Sequence, residues 1–84
     1  MRYMLITYIK KPNQQIDEQV QVSENLKERD ITTCNIILDF KEKVVQNAHV
    51  NGKPIPKDWN KMVDYYKQIY PDLIADLEKD NTSE

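Results

Sequence analysis

The one cysteine of the chain, Cys34, and its one histidine, His49, are the residues that could pair as nucleophile and base. Such a pair needs a thiol whose pKa is pulled toward neutrality by a cation, a helix N-terminus or a metal. Cys34 instead adjoins the aliphatic run Ile36-Ile37-Leu38, where a lone cysteine reads as a small buried hydrophobe. His49 falls in a strand-like run and reads as a solvated imidazole. One cysteine and one histidine cannot supply the three or four ligands of a zinc site. A phosphate-cradling loop needs glycines, and the single glycine, Gly52, is already explained by the turn pair Asn51-Gly52. Acidic side chains such as Asp64 and Asp72 lie off the apolar stripe of a helix, where they solvate it, rather than in a concave acid/base pair. The chain is therefore expected to have no catalytic residue, no metal site and no cofactor, and not to be an enzyme.

Charge offers a second kind of chemistry. Twelve basic against 14 acidic side chains give a formal charge of −2, which exerts no general pull on nucleic acid or anionic lipid. The distribution is uneven, with Arg2, Lys10 and Lys11 around the first strand and Lys41 and Lys43 in a later turn. These five form a possible nucleic-acid surface, with Tyr3 and Tyr8 as bases' stacking partners. The two tyrosines fall on opposite faces of a regular strand, so they cannot make one platform.

The elements that must position these residues are legible in outline. Residues 2–10 are rich in β-branched and aromatic side chains and apolar on both alternating sets, as in a central strand covered on two faces. Pro12-Asn13 turns the chain into an alternating strand at 16–22. Strands follow at 35–40 and 44–50. The segment Ser23 to Thr33 has too few apolar positions to anchor a helix and reads as a single turn or a strand-crossing loop. Pro54-Ile55-Pro56 is an extended connector to Asp58, a good N-cap before Trp59. Trp59, Met62, Val63, Tyr66, Ile69, Tyr70, Leu73 and Leu77 then recur at three-and-four spacing over residues 59–79. Pro71 interrupts this stripe, which predicts one kinked helix, or two end-to-end helices with Pro71 opening the second, rather than a chain reversal. The fold class is α+β: a three- to four-stranded antiparallel sheet on a C-terminal amphipathic helix, one domain over 1–80, with 81–84 frayed.

The sharpest expectation comes from counting faces. One helical layer covers one side of a sheet, yet strand three offers Ile36, Leu38 and Phe40 to one side and Ile37 to the other, and Val44-Val45 repeats the pattern. The uncovered side is expected to pack on the Ser23 to Thr33 segment, on a second copy, or on another protein. Ile37 and Val45 are its candidate partner-binding residues. Tyr65 joins them from the flank of the helical stripe near Ile69, where an amphipathic ring can anchor an interface.

The runs Tyr3-Met4-Leu5-Ile6-Thr7-Tyr8, Ile16-Asp17-Glu18-Gln19-Val20, Cys34-Asn35-Ile36-Ile37-Leu38-Asp39-Phe40 and Tyr70-Pro71-Asp72-Leu73-Ile74 resemble those of short uncharacterised accessory proteins of T-even-type tailed phages, cyanophages among them. The resemblance implies a viral accessory protein that binds and redirects a host protein, and defines no functional residue. The expected function is a non-enzymatic protein-interaction module, a homodimer or a binder of a host protein. The opening run is too short for a signal sequence and no apolar stretch approaches the roughly 18 residues that span a bilayer, so the expected location is the bacterial host cytoplasm. The alternative is a small nucleic-acid-binding regulator using the five basic residues.

Overall fold

The computed structural model describes residues 1–82, and the side chains of 1–80. Over the described residues the chain is α+β, with a five-stranded sheet in the order β2-β1-β3-β4-β5 and two helices. β1 (Tyr3–Lys10) lies between β2 (Ile16–Ser23) and β3 (Asn35–Asp39), antiparallel to both. β4 (Val44–Val50) follows β3, and β5 (Lys53–Pro54) closes that edge. The expected four strands are all present. The fifth escapes a reading of pattern because it is two residues long and contains Pro54, which an edge strand tolerates. Asn51 and Gly52, at φ of 53° and 76°, form the two-residue turn between β4 and β5.

Strand order decides what covers the sheet. Because β2 and β3 both run antiparallel to β1, they are parallel to each other and on opposite sides of it. β2 ends beside Tyr3 while β3 begins beside Thr7, so residues 24–34 must run the length of the sheet across one face. The segment does so as a loop with a single 3₁₀ turn at Glu28–Asp30. Leu26 packs there against Tyr3, Leu5 and Ile37, which are 8%, 7% and 0% exposed. Of the three coverings expected for that face, the chain's own middle segment is the one the structure contains. The face is not left open for a partner.

The helices take the opposite face. Met4, Ile6, Ile36, Leu38, Val45 and Ala48 from the sheet meet Val63, Tyr66, Ile74 and Leu77 in one buried cluster. α1 (Trp59–Ile69) starts at Asp58, whose side chain accepts the Lys61 amide, and α2 (Pro71–Thr82) starts at Pro71. The helices do not continue end to end. Trp59 packs edge-on to Phe40 at 5.0 Å, and the Phe40 amide donates to the Arg2 carbonyl, placing the start of α1 at the Arg2 end of β1. The Met1 ammonium meets Asp80, placing the end of α2 there too. Tyr66 and Tyr70 touch Tyr8 and Glu18 at the other end. The chain therefore reverses at Tyr70 (φ −127°, ψ 61°), and Lys67 comes within 3.6 Å of Glu78. Pro71 removes the helical option for the residue before it, and an antiparallel pair on one sheet shows the same apolar spacing as a single bent helix. α2 runs through Asn81 and Thr82 of the expected tail, and the rest of it, 83–84, lies outside the described residues. No helix of the described residues is long and apolar enough to cross a membrane.

Candidate functional site

Cys34 and His49 are not brought together as a reactive pair. The Cys34 thiol sits 4.0 Å from the Thr33 hydroxyl, and Nδ1 of His49 is 3.0 Å from Oδ1 of Asn47. Among the described residues, no group of three or more His, Cys, Asp or Glu is arranged to hold a metal.

The five basic residues are divided between the two ends of β1. Lys10 ends the strand and Lys11 follows it, whereas Lys41 and Lys43 occupy the β3–β4 turn at the Arg2 end. The strand between them spans on the order of 25 Å. Arg2 is also already engaged: its Nε and Nη2 donate to the two carboxylate oxygens of Asp39, each at 2.9 Å. Asp39 is fully buried and accepts further bonds from the amides of Lys41 and Glu42 and from Gln46. Burial alone would push its carboxyl upward; the Arg2 guanidinium, Gln46 and the two backbone amides outweigh it and hold the pKa at about 2. Gln46 reaches Asp39 because a bulge between the Ile37–Asn47 and Leu38–Val45 pairs leaves it as the extra residue.

A second polar knot fixes the crossing segment. Asn47, 3% exposed, donates through Nδ2 to the Thr32 carbonyl and to the Asn35 backbone and side-chain oxygens. Asn35, equally buried, donates to the Asp30 carbonyl, and the Gly52 amide donates to the Thr33 carbonyl. The cover of the sheet is thus stapled by hydrogen bonds at its far end and by Leu26 at its near end. No sequence signal distinguishes these buried asparagines from solvent-facing strand residues.

Of the three expected contact residues, Ile37 and Val45 are internal. Ile37 is fully buried under Leu26, and Val45, 7% exposed, belongs to the helix-side core. The crossing segment and the face that β4 turns to the helices account for both. Tyr65 is different: it is 55% exposed. Ile69, one helical turn on, is 44% exposed although its spacing puts it in the apolar stripe. The stripe is narrower than the spacing suggests, and Ile69 shares the Tyr65 flank.

That flank is rigidly held. The Tyr65 ring stands edge-on to Tyr66 at 5.0 Å. The Tyr66 hydroxyl is 2.6 Å from that of Tyr8, and Tyr70 donates its hydroxyl to Glu18 on β2. Burial pushes the Tyr66 phenol up to about 12. The bond to Glu18, then burial, raises Tyr70 to about 12, and burial with the Tyr66 contact raises Tyr8 further still. All three phenols stay neutral through the physiological range. The helix bend is therefore pinned to β1 and β2 beneath an exposed pair, Tyr65 and Ile69, while Ile16, 50% exposed, lies two residues before Glu18 on the same face of β2.

A separate cleft of about 420 Å³ opens at the other end of α1, lined by Phe40, Lys43, Trp59, Asn60 and Glu78. Its aromatic floor with one cation and one carboxylate does not converge on any reacting centre.

Compared with known proteins, the chain matches no family model, no curated protein and no solved structure.

Proposed function

We propose that the chain is a non-enzymatic protein-interaction module that binds its partner through the Tyr65–Ile69 flank of α1. The observation that carries this reading is the exposure of both side chains on a helical turn locked to the sheet by the Tyr8–Tyr66 and Glu18–Tyr70 bonds. A large ring presented without further ordering contributes binding energy at small entropic cost, which is why tyrosine is favoured at interface centres. Asp64 and Asp72, but also Lys61 and Lys67, all exposed, surround the pair, so the partner that fits is a protein with an apolar pocket and a rim of mixed charge. The resemblance to phage accessory proteins makes a bacterial host protein that partner and the host cytoplasm its setting.

The test is capture from bacterial lysate on immobilised wild type and Tyr65→Ala, both checked for folding by circular dichroism. At least one protein is expected to stay bound to wild type at high salt and to fall about tenfold on the variant, as for loss of an interface anchor. Equal capture by both, or capture only of nucleic acid that salt releases, would overturn the proposal.

A further inference from the structure

The two margins of the sheet are unlike. On one side β5 is two residues long and carries Lys53 and Pro54, the features by which natural sheets discourage edge pairing. On the other, β2 is an eight-residue margin with neither lysine nor proline. Its outward hydrogen-bonding groups follow from the ladder. The Lys11 amide donates to the Gln15 carbonyl, while Tyr8 and Phe40 donate to the Cys34 and Arg2 carbonyls. Odd-numbered residues of β1 therefore bond toward β2, and even-numbered ones toward β3. Through the β1–β2 register, Asp17, Gln19 and Gln21 turn their backbone groups inward, leaving those of Ile16, Glu18, Val20 and Val22 directed outward.

That outward set is self-complementary. We infer that two copies of the chain join antiparallel through the outer edge of β2, about a twofold axis normal to the sheet at Gln19. Ile16 then lies opposite Val22 of the second copy, and Glu18 opposite its Val20, so all four outward residues of each strand find a hydrogen-bonding partner. On the helix face, Val20 and Val22 are already half covered and Ile16 is half exposed; a neighbouring strand covers their outer sides. On the other face, Asp17 meets Gln21 of the second copy and Gln19 meets its counterpart. No like charges stand directly opposite, as they would if the axis passed through Glu18. The axis keeps both helical layers on the same side of one continuous sheet. The dimer does not depend on what Tyr65 binds.

Sedimentation equilibrium, with circular dichroism confirming each fold, tests this on wild type, Val20→Pro, Gln19→Lys and Tyr65→Ala. Proline removes an outward amide without touching the β1 ladder, and Gln19→Lys sets two cations face to face across the axis at an exposed position. Wild type and Tyr65→Ala are expected to dimerise with similar constants, and the two β2 variants to weaken the dimer at least about tenfold. A wild type that is monomeric up to roughly 100 µM, a scale that marks association too weak to matter, would overturn the inference. So would a dimer that Gln19→Lys leaves intact or that Tyr65→Ala abolishes.

Discussion

Asp39→Ala is expected to lower folding stability by about 3 to 5 kcal/mol, the range for breaking a buried ion pair by removing one partner. The carboxylate has no solvent exposure and accepts from Arg2 twice, from Gln46, and from the Lys41 and Glu42 amides. Truncation unties the β3–β4 turn and leaves those donors unmatched under partial cover. For a domain of this size such a loss approaches the whole stability. Asp39→Asn, which keeps an acceptor for the two turn amides, should cost less. Acid should act on the same contact. With a folded pKa of about 2 against an unfolded value near 3.8, the group binds fewer protons folded than unfolded between those values. Its contribution, about 2 kcal/mol, is present above pH 3.8 and lost as pH falls toward 2. Urea unfolding at neutral pH and across this acid window measures both effects; a wild-type midpoint independent of pH between 4 and 2, which are about the two pKa values, would contradict the assignment.

Asn47→Ala is expected to cost about 2 to 3 kcal/mol by stranding the Thr32 carbonyl and the Asn35 oxygens that it satisfies. Its more specific consequence is local. With the staple gone, residues 24–34 should exchange amide hydrogens faster than the strands, and an apolar dye should bind where Tyr3, Leu5 and Ile37 lose the cover of Leu26. Exchange of that segment unchanged relative to β1 would show that Asn47 does not hold it.

The sequence made the strands readable because their signals are local: apolar residues on both sides of β1, strict alternation in β2, and Asn51-Gly52 after β4. It also placed Tyr65 on a flank rather than in the core. What it left hidden depends on distant partners. Asn35, Asp39 and Asn47 look like solvent-facing strand residues until Arg2, Gln46 and the crossing loop supply their bonds. The covering of Ile37 follows from β1 lying between β2 and β3, and strand order is not written in any one segment. The reversal at Pro71 is hidden for a different reason: two antiparallel helices on one sheet and one bent helix repeat apolar residues at the same interval. Ile74, four residues after Tyr70 and three before Leu77, keeps that interval and is fully buried on α2.

Partner contact through α1 rather than through the β-layer rests on which aliphatic side chains meet water. Attenuation of methyl resonances by a soluble gadolinium chelate reads this in one spectrum of the wild-type protein. Ile69 should be strongly attenuated while Leu5, Ile37 and Val45 stay protected. Attenuation of Leu5 and Ile37 to the level of Ile69 would mean that residues 24–34 do not seal the sheet, and would return the binding surface to the face they cover.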